Sequence, residues 1–298
     1  MQGLIIENIA NLYKIENKEK NNQEVYEAYA RGRFKKDEIS PVVGDVVDFE
    51  ITDNENKKAV INKIESRKVY IKRPKLANIT KIIFVVSSKN PKPDLLMLDK
   101  QLAFAEFLGI EAIIVLNKTD LDKEKCFKDI KEVYEKIGYK VIETKAKEKE
   151  GVEELKSLLM ENINAFAGNS GVGKSTLINA IFNKDITKEG EISKKNKRGK
   201  NTTTTVKLYK IQDNTYIADT PGFSTFDISE ISYKDLDKYF VEIRENIKDC
   251  EFVGCTHIKE ENCGVKKALE EGKINQGRYD RFCKIYQELK SREENKKW

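Results

Sequence analysis

Ile163-Asn164-Ala165-Phe166-Ala167-Gly168-Asn169-Ser170-Gly171-Val172-Gly173-Lys174-Ser175-Thr176 is the stretch that decides how this chain is read. An apolar run ending at Ala167 opens into Gly168-x4-Gly173-Lys174-Ser175, and a helix-forming segment, Thr176–Phe182, follows. In a strand–loop–helix of this kind the glycines let successive backbone N–H groups curl around phosphate oxygens. The lysine brings a point charge to the β- and γ-phosphates, and the serine hydroxyl is placed for Mg2+. The dipole at the helix amino end adds to the attraction. Predicted nucleotide contacts are therefore Gly168, Asn169, Ser170, Gly171, Val172, Gly173, Lys174, Ser175 and Thr176. A glycine-rich turn with no ligand is the bland alternative, and the flanking strand and helix argue against it.

Upstream, Asn117-Lys118-Thr119-Asp120 follows the apolar run Ala112–Leu116. Guanine, unlike adenine, offers two adjacent donors, its ring N1–H and exocyclic N2–H2, and one carboxylate, Asp120, can accept both. Asn117 can complete recognition at the other purine edge, and the Lys118 stem can lie along the ring face. Thr144-Lys145-Ala146 falls where a backbone loop would support the base. Downstream, Asp219-Thr220-Pro221-Gly222 follows the predicted strand Thr215–Ala218. Asp219 is suited to hold the hydration shell of Mg2+, and the Gly222 amide to sense the γ-phosphate. Thr202-Thr203-Thr204-Thr205 reads as a first switch whose hydroxyls reach the ion in the triphosphate state and release it after hydrolysis; the start of a β-strand is the plainer reading of such a run. The candidate catalytic set is Lys174, Ser175, Thr203, Thr204, Asp219 and Gly222. Phe223 stands where a water-orienting glutamine often does and has no polar group to offer, so intrinsic hydrolysis is expected to be slow.

These motifs run in a shifted order. The base-reading tetrapeptide comes first, the phosphate loop about fifty residues later and the Asp219 motif last. One site must be assembled from a chain cut at a different loop, which is tolerable because the termini of compact domains usually lie at the surface and often close together.

Of 298 residues, 39% are hydrophobic and 35% charged, the balance of a globular protein with a heavily charged surface. No apolar run approaches the ~20 residues a membrane helix needs, and the amino end does not read as a signal peptide. The net charge of +5 is unevenly spread: from Lys57 to Lys75 eight basic residues meet one acid, Glu65, and from Lys184 to Lys200 seven meet three. Such stretches suit a polyanion larger than a nucleotide, although charge runs are more often solvated surface.

Residues 1–70 carry short alternating segments (Leu4–Ile9, Tyr26–Arg33, Val42–Ile51, Ala59–Ile64) separated by turn signals, which predicts a five-stranded barrel of the oligonucleotide-binding type. Residues 71–225 alternate strands (Ile82–Val86, Ala112–Leu116, Lys140–Ile142, Ile163–Ala167, Val206–Ile211, Thr215–Ala218) with helices (Leu95–Leu108, Phe127–Ile137, Val152–Met160), a doubly wound α/β domain. Residues 226–298 hold Cys250-x4-Cys255-x-His257-x5-Cys263 and two closing helices, Lys266–Glu271 and Tyr279–Glu294. Three thiolates and one imidazole satisfy tetrahedral Zn2+ and leave no open position, so one structural zinc ion is expected on Cys250, Cys255, His257 and Cys263. His257 is the single histidine of the chain. Cys126 and Cys283 stand apart and read as ordinary core or surface thiols.

Taken together, the shifted motif order, the barrel before it and the cysteine–histidine unit behind it resemble the RsgA family of circularly permuted GTPases, which act in late maturation of the small ribosomal subunit. Leu98-Asp99-Lys100-Gln101-Leu102 and Arg278-Tyr279 share in the resemblance. It implies a multidomain protein that binds GTP through Asn117–Asp120 and Gly168–Thr176 and binds zinc through the four ligands named above. It further implies docking on ribosomal RNA and hydrolysis to GDP and phosphate stimulated there. A cytoplasmic monomer with no membrane partner is expected. One departure stands out: where the family commonly reads Gly-Arg-His-Thr-Thr-Thr, this chain reads Gly199-Lys200-Asn201-Thr202-Thr203-Thr204. An amide at Asn201 cannot serve as a general base near neutral pH. The rival readings are a nucleotide-gated RNA-binding adaptor, a P-loop ATPase or kinase, which Asp120 argues against, and a permuted GTPase of the large subunit.

Overall fold

The first five strands are β1 (Gln2–Ile9), β2 (Leu12–Asn17), β3 (Val25–Ala30), β4 (Val46–Asp53) and β5 (Lys58–Ile64). Their alternation is plain in β3, where Tyr26 and Ala28 are buried while Val25, Glu27 and Tyr29 face outward, as a period of two requires. β1 pairs with β2 and with β4, β2 with β3, β3 with β5 in parallel, and β5 with β4, so the sheet closes into a barrel. Closure removes the unpaired edges an open sheet would expose. Ile5, Ile15, Tyr26, Val47, Phe49 and Ile61 fill the interior, none more than 2% exposed, and burial of each such side chain contributes about 1.5–3 kcal/mol. The segment expected as a strand from Val42 starts at Val46 instead. Asp45 turns its carboxylate back to accept from the Val42 amide at 2.7 Å, which makes residues 42–45 a turn.

The chain then runs through β6 (Tyr70–Lys72), β7 (Lys75–Ala77), β8 (Lys81–Ser87), α1 (Leu95–Leu108), β9 (Glu111–Asn117), α2 (Cys126–Ile137), β10 (Lys140–Thr144), α3 (Val152–Leu158), β11 (Ile163–Ala167), α4 (Lys174–Phe182), β12 (Lys207–Gln212) and β13 (Thr215–Asp219). Helices α5 (Val241–Arg244), α6 (Gly264–Glu270) and α7 (Gln276–Asn295) close it. This is a computed structural model, and it describes residues 1–19, 24–32, 34, 40–123, 125–183, 206–219 and 228–295. Strand and helix alternation from β8 to β13 follows the α/β reading, with every bound within two residues of that expected; α3, for instance, stops at Leu158 rather than Met160.

Two compact units result. The first takes in Met1–Ile83, Val152–Ala167 and the described part of 175–223. In it β1 of the barrel also pairs antiparallel with β12 at Glu7–Lys207, β12 pairs with β13, and β13 lies parallel to β11. The second takes in Phe84–Gly151, Gly168–Lys174 and the described part of 224–298. There β9 and β10 run parallel, and the carboxyl-terminal helices share a core of Phe240, Ile243, Val265, Phe282, Ile285 and Leu289 with Ala103 and Phe104 of α1. Among the described residues no helix is long and apolar enough to cross a membrane.

Candidate nucleotide site and metal centre

Asn117, the last residue of β9, joins three loops. It is 1% exposed. Its Nδ2 donates to the Val172 carbonyl at 2.9 Å, and its Oδ1 accepts from the Thr144 hydroxyl at 3.0 Å and from the Ala146 amide at 3.3 Å. One side chain thus fixes the phosphate loop, the end of β10 and the Thr144–Ala146 turn against one another. A buried carboxamide so satisfied is costly to disturb, because removing it strands several partners at about 1–3 kcal/mol each. The parallel register explains the convergence: Thr144 lies opposite Asn117, so both strands deliver their ends to one place.

Lys118 has a left-handed backbone, φ 64°, and begins the short 3-10 turn Thr119–Leu121. Its ammonium donates to the carbonyls of Asn90 at 2.6 Å and Gly171 at 2.7 Å, a second tie between this turn and the phosphate loop. Burial, with Lys147 next in effect, pushes its pKa below the ordinary lysine value. The Thr119 hydroxyl donates to the Thr144 carbonyl at 3.5 Å. Asp120 is exposed on that turn. Lys145 extends to Glu150 at 2.6 Å.

Around the loop itself, Lys174 folds its ammonium onto the carbonyls of Gly168 at 2.6 Å and Asn169 at 2.9 Å, and burial lowers its pKa. Gly173 has φ 105°, and a Cβ there would lie 2.2 Å from Asn117 Nδ2. Asn117 and the loop therefore meet closely only because this position has no side chain. Ser170 and Gly171 are exposed and Val172 is buried. Asn169 Nδ2 lies 3.5 Å from Asp94 Oδ2, and Asp94 caps α1 by accepting from the Met97 amide at 2.9 Å.

Ser175 and Thr176 belong to the first unit, exposed in the first turn of α4. Asp219 also belongs to it, as the last residue of β13 opposite Lys207. Asn201, Thr202–Thr205, Gly222 and Phe223 lie outside the described residues.

Cys250, Cys255, His257 and Cys263 bring one donor atom each to within 4.8 Å of one another. The separations suit a four-coordinate ion. Cys250 Sγ and Cys263 Sγ are 3.9 Å apart, and His257 Nδ1 stands 3.5 Å and 3.4 Å from them. Metal–sulfur bonds of about 2.3 Å and metal–nitrogen bonds of about 2.0–2.1 Å in a tetrahedron give edges of about 3.8 Å and about 3.5 Å. Burial pushes the Cys255 thiol up to about 12 and the Cys263 thiol up as well, so thiolates form here with a cation's charge among them. The residues fit a metal ion.

Sequence reading had missed the groups that hold these ligands. Asp237 Oδ2 faces His257 Nε2 at 3.4 Å, which orients the ring with Nδ1 toward the sulfurs. The Tyr279 hydroxyl donates to the His257 carbonyl at 2.6 Å. Glu260 accepts from the Thr256 hydroxyl and amide at 2.8 and 3.0 Å and from the Ile258 and Lys259 amides at 3.2 and 3.1 Å, clamping the loop that carries His257. Only the Asp94-x2-Met97 spacing before an apolar helix carried a legible signal, that of an N-cap. Asp237 and Glu260 look like any exposed acid.

Comparison with known proteins gives a consistent family. The model described as RsgA GTPase matches residues 64–229, and that of the RsgA N-terminal domain matches residues 2–61. The small ribosomal subunit biogenesis GTPase RsgA of Clostridium botulinum (strain Loch Maree / Type A3) is 41% identical over 298 residues, with 100% of each chain covered. That of Alkaliphilus metalliredigens is 40% identical over 97% of this chain and 98% of its own. Among solved structures, YjeQ from Thermotoga maritima superposes with a TM-score of 0.83 at 34% identity, covering 97% of this chain and 98% of its own. YloQ, described as a circularly permuted GTPase, does so with 0.82 at 29% identity, covering 98% and 95%.

Proposed function

The chain belongs to the RsgA GTPase family and hydrolyses GTP, and we propose that it does so on the small ribosomal subunit, late in that particle's maturation, in the cytoplasm and as a monomer. Its relatives of 40–41% identity are named small ribosomal subunit biogenesis GTPases, which supports this reading. In this reading residues 1–70 are the barrel, 71–225 the permuted GTPase domain and 226–298 the metal-bearing helical domain. The observation that carries the nucleotide assignment is Asn117, whose one carboxamide binds Val172 of the phosphate loop and Ala146 of the base-supporting turn. These bonds tie together segments the chain delivers in shifted order, which supports reading them as parts of one nucleotide site.

Asp120 accepts the two guanine donors, and the loop Gly168–Thr176 wraps the phosphates. Lys174 trades its two loop carbonyls for phosphate oxygens, its lowered pKa leaving it a weakly hydrated cation close to the anion. Ser175 and Asp219, with a hydroxyl of the 202–205 run, would hold Mg2+, which neutralises charge on the β- and γ-phosphates when bound. Catalysis is positioning and electrostatic stabilisation of the kind phosphoryl transfer needs. With Phe223 and Asn201 at the switches, turnover waits on the subunit to order them. Zn2+ on Cys250, Cys255, His257 and Cys263 is structural, since four protein ligands leave no open position.

The test is GTP turnover with isolated small subunits, with large subunits, and with neither. Stimulation by small subunits alone is expected, and equal rates in all three would overturn the reading. Asp120→Asn should lose discrimination between GTP and ATP by about 1–3 kcal/mol, the worth of a good bidentate base contact, and an unchanged ratio would sink the base assignment.

A further inference from the structure

Within the first unit β12 lies between β13 and β1 of the barrel. On its β13 side the backbone pairing runs from Lys207–Asp219 to Gln212–Thr215, a hairpin closed by Asp213 and Asn214. On its barrel side one register pair, Glu7–Lys207, is made among the described residues. Side chains therefore carry much of the join between barrel and hairpin.

Two buried carboxylates of the barrel do so, Glu7 and Glu16. Glu7 lies 2.8 Å from the Lys14 ammonium and 3.9 Å from that of Lys207. The pairing sets Lys14, Glu7, Lys207 and Asp219 in one row across β2, β1, β12 and β13, with charges of alternating sign. Opposite charges directly opposed across strands stabilise a sheet, and this row ends on Asp219.

Glu16 belongs to β2 and reaches past β1. Its Oε1 accepts from Lys210 Nζ at 2.6 Å, and Lys210 also lies 3.2 Å from Asp213. The Tyr216 hydroxyl donates to the same carboxylate; burial first, and the charge of Glu16 next, push its pKa above the ordinary tyrosine value, so it stays a donor. Lys18 adds a further positive charge nearby. Lys210 and Tyr216 stand directly opposite each other on β12 and β13. One barrel carboxylate thus holds both strands of the hairpin, three residues before Asp219 on β13. A carboxylate so buried is stable only while it is paired and hydrogen-bonded, which ties the hairpin to the place where Glu16 can be satisfied.

We propose that Glu16 is a positioning residue for GTP hydrolysis: through Lys210 and Tyr216 it sets the β12–β13 hairpin, and with it Asp219. The proposal rests on the reading of Asp219 as part of the catalytic set; the hold on the hairpin is the geometry of the first unit alone.

The experiment compares the full chain with its variants in single-turnover hydrolysis of bound GTP, in Kd for a fluorescent GDP analogue and in amide exchange, well below every melting midpoint. Glu16→Gln should slow hydrolysis about tenfold, part of the roughly hundredfold that a misplacement of about 1 Å costs. Its GDP affinity should stay within about twofold of wild type, because the base-reading turn and Gly168–Lys174 lie in the second unit. Amide exchange should quicken over Lys207–Gln212 and Thr215–Asp219. Lys210→Met should behave like Glu16→Gln, and Lys210→Arg, which keeps the charge, should retain at least about half the wild-type rate. The double variant Glu16→Gln/Lys210→Met should be no slower than the slower single one, since two residues acting as one pair are not additive. Ile61→Val, a change in the barrel interior, should lower the melting midpoint and leave hydrolysis unchanged. Wild-type hydrolysis in Glu16→Gln overturns the proposal. So does an equal loss of rate in Ile61→Val, because the carboxylate then matters only for folding. Losses that multiply in the double variant overturn it too, since Lys210 is then not the route. Asp219→Asn separates the proposal from the reading beneath it. Wild-type turnover there, beside slowed hydrolysis in Glu16→Gln, removes Asp219 from the catalytic set while Glu16 keeps its role.

Discussion

Arg278 Nη1 lies 2.6 Å from Asp99 Oδ1, an ion pair between residues 179 positions apart. Asp99 sits in the middle of α1 and is 0% exposed, and Arg278, in the first turn of α7, is 1% exposed. Arg278 also forks onto Glu242 at 2.7 and 3.0 Å. Arg281 reaches the second Asp99 oxygen, and the Tyr134 hydroxyl donates to the first at 2.5 Å. A guanidinium that is buried yet bonded to two carboxylates is held charged: desolvation opposes it, and Asp99 and Glu242 more than offset that.

Removing the cation should therefore be far worse than removing an exposed charge. Arg278→Met leaves Asp99 and Glu242 in a dry site with part of their compensation gone, and such a break costs about 3–5 kcal/mol. The urea midpoint of the variant should fall accordingly. Arg278→Lys, which keeps a charge but not the planar fork, should fall between the two. A variant within about 0.5 kcal/mol of wild type would show that this cluster does not hold α7 to α1.

The next prediction concerns Gly173. Alanine there faces a positive φ and an Asn117 nitrogen 2.2 Å from its Cβ. Either Asn117 leaves Val172, Thr144 and Ala146, or the phosphate loop shifts outward. Both spoil a site that must be correct to a fraction of an ångström. Gly173→Ala should raise the Kd for a fluorescent GDP analogue at least about tenfold, which is 1.4 kcal/mol. The melting midpoint should fall as well where Asn117 is the group that yields, since stranding its buried partners costs about 1–3 kcal/mol each. Wild-type nucleotide affinity would mean that the close approach of Asn117 to the loop is dispensable.

Sequence reading recovered the elements whose periodicity is strong. α1 and β11 begin and end at the residues expected, because an apolar pattern bounded by Asp94 and Gly109, or by a loop glycine, leaves little choice. It lost the boundaries that long-range groups decide. Val42–Asp45 carries a strand-like composition, but the Asp45 carboxylate, held by Arg67 at 2.8 and 2.9 Å, turns the chain there. In the site, the ligand types and spacings were legible because the chemistry constrains them. The hub role of Asn117 was not, since its partners Val172, Thr144 and Ala146 are brought to it by the parallel pairing of β9 and β10 and by the phosphate loop. Leu98–Leu102 and Arg278-Tyr279 were visible as shared motifs, yet nothing in the sequence says that Asp99 and Arg278 bind each other.

Metal removal should loosen the helical tail. Cys255 and Cys263 form part of the same core as Phe240, Phe282 and Leu289, so taking the ion out leaves buried thiols and an imidazole with no shared partner. Elemental analysis should find one zinc per chain. Cys250→Ser should lower zinc content to a small fraction and bring the melting midpoint down by several degrees, as a loss of about 1–2 kcal/mol does in a domain-sized chain. Cobalt in place of zinc should show thiolate charge-transfer bands in the wild type and lose intensity in the variant. Full zinc content in Cys250→Ser would remove this residue from the ligand set.

Glu260 supplies a test with a defined pH window. Burial alone would push its carboxyl up, but hydrogen bonds from the Thr256 amide and hydroxyl and from the Lys259 amide outweigh that and hold it down at about 2. A carboxylate whose folded pKa is depressed stabilises the fold fully above its unfolded value and loses that contribution as pH falls through the folded one. For Glu260 the window runs from about 4.5 down to about 2. Glu260→Gln removes the charge, so zinc-loaded wild type should exceed the variant in stability by a constant margin above about pH 5. That margin should shrink steadily as the pH is lowered toward 2, where protonation makes the two side chains alike. Protonation of the metal thiolates acts on both proteins and cancels in the difference. Chemical denaturation at half-unit pH steps reads the margin directly. A margin independent of pH, or none at neutral pH, would mean that the His257 loop is held by something other than this carboxylate.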